Sequence, residues 1–193
     1  MAQGKLTLII GTSGVGKSVI LKKLRAAHPE FHFPRSATTR ARRPKESDDL
    51  YQFVTDKEFA QLKSENKLLE FAVVHSGASY GTLFDEIIPK IEEGKTVIRE
   101  VDVQGFDTIR MHPLFAPPYA SYRLQSIFIL PESKEQLIAH ITKRAPMEKD
   151  ELDRRIKSME RELAYAELCD ATVHNREGKL AETIREVETL LAK

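Results

Sequence analysis

Apolar positions along the chain fall into two rhythms. Short, nearly continuous apolar runs occur at Leu6–Ile10, Thr96–Val101 and Leu124–Leu130, with a weaker one at Ala171–His174. Such runs suit strands buried on both faces, as in a parallel sheet. Between them the spacing is helical. Ile20, Leu24 and Ala27 share one face of a helix predicted from Lys17 to Ala27. Asp85–Glu93 reads as a helix stopped by Gly94. Ser133 with Gln136 has the pattern of a capping box opening a helix to about Lys143. Leu180, Ile184, Val187 and Leu191 stripe a C-terminal helix. Strands alternating with helices predict an α/β fold, a parallel β-sheet flanked by helices and joined by right-handed crossovers.

Two segments break the alternation. Residues 36–82 carry short β-like pieces, Tyr51–Thr55 and Leu69–Val74, around one helix at Asp56–Asn66, and read as an inserted β-rich lobe. Residues 140–158 are dominated by charge around Ala145-Pro146 and read as a helical lid. Leu152, Ile156, Met159 and Leu163 there form an apolar stripe suited to docking on the core. The core is expected in residues 1–35, 83–139 and 159–193, so the chain is read as one domain of three parts. Residues 111–122 are rich in proline and aromatics and read as a surface loop.

Composition narrows the function classes. With 193 residues the chain can bury most of its surface without a staple. Thirty Lys and Arg against 29 Asp and Glu give a net charge of +1, which argues against a nucleic-acid coat and an acidic solvating tail. Cys169 is the one cysteine, so an intrachain disulfide and a cysteine-cluster metal site are excluded and a reducing compartment fits. No apolar core of a signal peptide precedes Leu6, and no run reaches the ~18 apolar residues of a membrane span. The expectation is a cytoplasmic protein, monomer or homodimer, without nucleic-acid or membrane partners.

Candidate chemistry begins at Gly11-Thr12-Ser13-Gly14-Val15-Gly16-Lys17-Ser18, which has the G-x-x-x-x-G-K-[ST] spacing of a phosphate-binding loop. It lies directly between a predicted strand and a predicted helix, the context the motif needs. Glycines let the backbone wrap a phosphate with its N–H groups inward. The helix aims its positive end at the same anion. Lys17 can reach the β- and γ-phosphates, and the Ser18 hydroxyl can ligate Mg²⁺. These residues predict a nucleoside triphosphate site.

Arg35 to Glu46 holds five basic residues and one acidic residue. A solvated basic loop is the plain reading. A second anion site is the sharper one, because Arg suits bidentate phosphate binding and the loop follows the phosphate loop by one helix. Tyr51 and Tyr80 can add hydroxyl donors to such an anion.

Several blocks then occur in one order: the phosphate loop, Ser36-x-Thr38-Thr39-Arg40-x-x-Arg43-x-x-Glu46, Tyr51-x-Phe53-Val54, Glu70 followed by Tyr80-Gly81-Thr82, Glu100-Val101-Asp102-Val103-Gln104-Gly105, and Glu162-Leu163-Ala164-Tyr165-Ala166 before Asn175. In this order the chain resembles the guanylate kinases over almost its whole length. The resemblance implies a P-loop NTPase core with a GMP-binding lobe and a lid, and Mg²⁺-dependent phosphoryl transfer from ATP to GMP or dGMP. It implies that Arg40, Arg43, Tyr51 and Tyr80, in the block that includes Glu46, hold the GMP phosphate, and that Ser36, Glu70, Thr82 and Asp102 surround guanine. Lys17, Arg40 and the lid arginines Arg144 and Arg155 would be catalytic, and Asn175 would lie near adenine. The base readers also make chemical sense. A carboxylate such as Glu70 accepts from guanine N1–H and its 2-amino group, and hydroxyls such as Ser36 and Thr82 can donate to O6.

The chain departs from the family in places. The stretch between Glu46 and Tyr51 is one residue shorter than usual, and that from Glu70 to Tyr80 one longer. Glu100 stands where Asp is usual; as a longer carboxylate it can still meet a Mg²⁺-bound water. His140 replaces a common lid arginine, Ala145 replaces a glycine, and the loop after Pro113 is about seven residues longer. Two other readings stay open: a related P-loop kinase with a different acceptor, such as a sugar phosphate, and a non-catalytic guanylate-kinase-like binding module.

Overall fold

The structure, a computed structural model, describes residues 4–44, 46–73, 77–144 and 149–193; for 140, 141, 143, 144 and 149–151 it describes the backbone path alone. In chain order the elements are β1 (Lys5–Gly11), α1 (Lys17–Ala27), β2 (Ser36–Thr38), β3 (Tyr51–Phe53), α2 (Asp56–Ser64), β4 (Leu68–Val73), β5 (Ser79–Leu83), α3 (Phe84–Glu92), β6 (Thr96–Glu100), α4 (Val103–Arg110), β7 (Arg123–Pro131), α5 (Lys134–Arg144), α6 (Lys149–Leu163), β8 (Ala171–Asn175) and α7 (Leu180–Leu191). One sheet has the order β6-β1-β7-β8 and the other β3-β2-β5-β4.

By internal contacts the chain divides into two compact units. One contains residues 7–29, 100–103 and 125–193. Every residue of β1 is buried, Lys5 and Thr7 included, as expected of a strand covered on both faces. Ile127, Phe128 and Ile129 of β7 and Val173 of β8 are buried beside it in this unit. β7 and β8 pair in parallel, Ile127 opposite Ala171 through to Pro131 opposite Asn175. The Asp170 carboxylate fixes the start of that pairing by accepting from the Ser126 N–H and hydroxyl, both at 2.7 Å. α7 buries Thr183, Val187 and Leu191, whereas Leu180 and Ile184 of the predicted stripe are half-buried. The opening of α5 differs slightly from a capping box. Ser133 Oγ accepts from the Gln136 N–H as expected, but the Gln136 side chain accepts from the N–H of Glu132, one residue earlier. Residues 145–148, including Ala145, lie outside the described residues.

The second unit is built on residues 30–99 and 104–124 and carries the β3-β2-β5-β4 sheet. β2 pairs in parallel with β3 and antiparallel with β5, which pairs antiparallel with β4. One face of the sheet is apolar. Ala37, Phe59 and Leu83 are buried together with Val54, Leu62 and Leu68 packed on them, so α2 covers that face. Gly81 lies under it: a Cβ there would stand 3.0 Å from Leu68 Cδ2 and 3.2 Å from Phe59 Cζ. This tight approach is the packing reason for glycine in Tyr80-Gly81-Thr82. α2 opens with a full capping box, Thr55 Oγ1 accepting from the Glu58 N–H and Glu58 accepting from the Thr55 N–H. The predicted 111–122 loop is irregular, and it is pinned by buried Phe115 while Tyr119 is 89% exposed.

Candidate active site

The first site sits in the unit of β1 and α1. Gly11, Gly14 and Gly16 all have positive φ, at 151°, 87° and 99°, so the turn runs through backbone conformations that a side chain disfavours. Space is equally restrictive. A Cβ on Gly16 would stand 2.6 Å from Asn175 Nδ2, and one on Gly11 2.6 Å from the Ile129 carbonyl oxygen. Thr12 and Val15 are buried, while Ser13 is exposed. The Thr12 hydroxyl is a buried polar atom without a hydrogen-bond partner among the described residues. Gly16 caps α1, and no acidic residue occupies the first turn of that helix to oppose an anion.

Ser13, Gly14, Gly16, Lys17, Ser18, Val19 and Glu100 line one concave pocket. Lys17 Nζ donates to the carbonyls of Gly11 at 2.6 Å and Thr12 at 3.1 Å, and lies 3.8 Å from Glu100 Oε1. The ammonium is thus held at the mouth of the loop by two carbonyls it can exchange for phosphate oxygens. The Ser18 hydroxyl donates to Glu100 Oε2 at 3.5 Å. The family resemblance implies that Asn175 lies near adenine. Its amide donates to the Val15 carbonyl at 2.8 Å and its Oδ1 accepts from Thr183 at 3.2 Å, so it braces the loop from β8. Arg155 of α6 is exposed, and the side chain of Arg144 lies outside the described residues. Asp102 is exposed just before α4, in the phosphate-loop unit.

The second site lies on the β3-β2-β5-β4 sheet. Its register sets Tyr51 opposite Ser36, Ser36 opposite Thr82, and Thr82 opposite Glu70. Directly opposed residues share a face, so four separated positions become one row on the face away from α2. Ser36, Thr82 and Glu70 are buried there. Thr82 Oγ1 donates to Glu70 Oε1 in a short hydrogen bond.

Beside the row, Arg40 is fixed on three sides. Its guanidinium bonds Glu46 bidentately, at 2.6 and 3.0 Å, and its Nε donates to the Tyr80 hydroxyl at 3.1 Å. It also lies over the Tyr51 ring, 5.2 Å from the centroid. Arg43 is exposed, with its N–H donating to Glu46 Oε2 at 2.9 Å. Arg42 pairs with Asp48 and stacks on Phe53, and Arg35 pairs with Glu86 at 2.6 Å. Arg35, Arg40 and Arg42 are thus each paired with a carboxylate. Arg40 and the Arg43 N–H pull the Glu46 carboxyl down from 4.5 to about 2, and Glu46 raises Arg40 in turn. A depressed carboxyl stabilises the fold above its unfolded value, and that contribution is lost as pH falls through the folded value. We expect carbon-detected NMR to find Glu46 titrating near 2, with the Arg40–Glu46 pair intact at pH 4 and opening only below about 3.

The sequence did not single out one member of this site. Arg99, in the middle of the apolar β6 run, donates from Nε to Thr82 Oγ1 at 2.9 Å and from Nη1 to Ser36 Oγ at 2.6 Å. Its Nη2 lies 3.8 Å from Glu70 Oε1. An arginine directly after the buried Val97 and Ile98 was the available signal.

A glycine loop between a buried strand and a helix, with Lys and Ser at its end, defines a P-loop protein. The guanylate kinase family model matches residues 3–193. A guanylate kinase from Thermobifida fusca is 36% identical over 172 residues, covering 89% of this chain and 83% of that protein. One from Streptomyces kasugaensis is 35% identical over 175 residues, covering 90% and 81%. A crystal structure of guanylate kinase from Anaplasma phagocytophilum superposes with a TM-score of 0.69 at 24% identity, over all of this chain and 86% of that one, and shows likeness of fold. The chain belongs to the guanylate kinase family, and its enzyme class is nucleoside monophosphate kinase.

Proposed function

We propose that the protein transfers the γ-phosphoryl group of ATP to GMP or dGMP, releasing ADP and the guanosine diphosphate. The observation that carries this reading is the row Ser36–Thr82–Glu70 beside the clamped Arg40, in a chain whose phosphate loop is intact. Glu70 accepts from guanine N1–H and the 2-amino group and repels the N1 lone pair of adenine. Arg40, prealigned by Glu46 and Tyr80, holds the acceptor phosphate with Arg43, Tyr51 and Tyr80. Prealignment lowers the entropic cost of positioning the nucleophile.

At the donor end the loop N–H groups and the start of α1 bind the triphosphate, and Lys17 offsets its β/γ charge. Ser18 and Glu100 present hydroxyl and carboxylate oxygens 3.5 Å apart, an all-oxygen pair that fits Mg²⁺. Bound there, Mg²⁺ would neutralise charge on the transferring phosphate. The acceptor phosphate is already a nucleophile, so no general base is required. Arg155 and Arg144 are assigned to the lid, where closure excludes water and favours transfer over hydrolysis. Asn175 serves the ATP site by holding the Val15 carbonyl, and Asp102 is assigned to the guanine side. We place the reaction in the cytoplasm; among the described residues no helix is long and apolar enough to cross a membrane.

An ADP-release assay across GMP, dGMP, AMP, UMP and ribose phosphates tests the acceptor. GMP and dGMP should exceed AMP by at least about a hundredfold in kcat/KM, since a wrong base leaves Glu70 unpaired. A sugar phosphate outperforming GMP would overturn the assignment, and no acceptor-dependent turnover would favour a binding module.

A further inference from the structure

We infer that Arg99 is a specificity-determining residue of the acceptor site, its guanidinium donating to O6 of guanine while Glu70 accepts from N1–H and the 2-amino group. This rests on the GMP reading above and adds the donor half of base recognition.

The hydrogen-bond directions lead there. A hydroxyl has one proton. Thr82 Oγ1 gives its proton to Glu70 Oε1 and accepts from Arg99 Nε at 2.9 Å. In that arrangement Thr82 has no proton for O6. Ser36 Oγ accepts from Arg99 Nη1 at 2.6 Å, which turns its own proton away from the guanidinium. Arg99 therefore sets the polarity of both hydroxyls.

Its placement differs from that of the arginines clamped by a carboxylate. Arg35 and Arg40 each engage a carboxylate with two nitrogens, at 2.6 and 2.9 Å on Glu86 and at 2.6 and 3.0 Å on Glu46. Arg99 donates to two hydroxyls, and its Nη2 lies 3.8 Å from Glu70 Oε1. The result is a cationic donor set beside a carboxylate, with both side chains largely buried, at 14% and 10% exposure. Burying such a pair is costly, and a hydrophobic packing of the same volume is often no less stable. A guanine edge is the complement of that pattern: O6 accepts, while N1–H and the 2-amino group donate. Adenine reverses both central positions, setting its 6-amino group against Arg99 and its N1 lone pair against Glu70.

The test uses GMP and 6-thioguanosine monophosphate, which keeps N1–H and the 2-amino group and replaces only the oxygen by a poorer acceptor. Wild-type, R99M and R99K proteins are compared, with thermal melts to check folding. Wild type should prefer GMP by about tenfold or more in kcat/KM, the range of a charge-assisted hydrogen bond. In R99M the GMP KM should rise about 10- to 100-fold with kcat within about threefold, and the preference should shrink to about threefold or less. R99K, which keeps a cationic donor, should retain an intermediate preference; it also decides the matter if R99M fails to fold. An equal loss for both acceptors in R99M, or an unchanged preference in R99K together with an unchanged GMP KM, would overturn the inference while leaving the acceptor reading standing. Wild-type protein that does not phosphorylate GMP would instead overturn the acceptor reading and this inference with it.

Discussion

Lys17→Ala is expected to lower kcat by about a thousandfold or more, with fold and GMP binding retained. Removing one preorganised charge from a phosphoryl-transfer site costs on this scale, because that charge meets negative charge developing on the phosphate oxygens. Lys17 lines the pocket and is held there by the Gly11 and Thr12 carbonyls at 2.6 and 3.1 Å. Alanine also removes the ammonium that would exchange those carbonyls for phosphate oxygens, so weaker ATP binding should accompany the loss. Steady-state turnover and a separate ATP titration by calorimetry give the two effects. Turnover within about tenfold of wild type would remove the assigned donor site.

Glu70→Ala should act on the other substrate. The GMP kcat/KM should fall about a hundredfold, mainly through KM, while the KM for ATP stays near its wild-type value. Preference for GMP over AMP should narrow by a similar factor, because the group that repels the adenine N1 lone pair is gone. Glu70 also accepts from Thr82 and faces the Arg99 guanidinium at 3.8 Å, so a stability loss of about 1–3 kcal/mol should appear in urea unfolding. Glu70→Gln separates the effects: it keeps the volume and one acceptor but turns an amide toward a guanine donor. Unchanged base preference in both variants would show that Glu70 does not read the base.

The strand, glycine turn and helix that carry the assigned donor site were legible in the sequence because their information is local. Leu6 to Ile10, the glycine turn and the Lys17–Ala27 helix follow one another within 22 residues, and the structure has them as β1, loop and α1. The candidate acceptor site is not local. β2 and β3 have three residues each, too short for periodicity to register, and β2 exists only through pairing with β3 and β5. Residue types at 36, 70 and 82 were legible through family resemblance, but their alignment on one face follows from strand register. Arg99 lay hidden for the same reason: β6 reads as an apolar run, and its one charged interior residue acquires meaning only beside Ser36 and Thr82. Glu46 was read as part of the acceptor block, whereas its geometry makes it the clamp that positions Arg40.

Direct transfer between two nucleotides is the central claim, and ATP labelled at the γ-phosphorus tests it most directly. Incubated with enzyme, Mg²⁺ and GMP, the label should appear in GDP, with little in inorganic phosphate, and its appearance in GDP should slow by about a thousandfold or more when Lys17 is replaced by alanine. Label accumulating in inorganic phosphate or in another acceptor, with GMP left unmodified, would contradict the account.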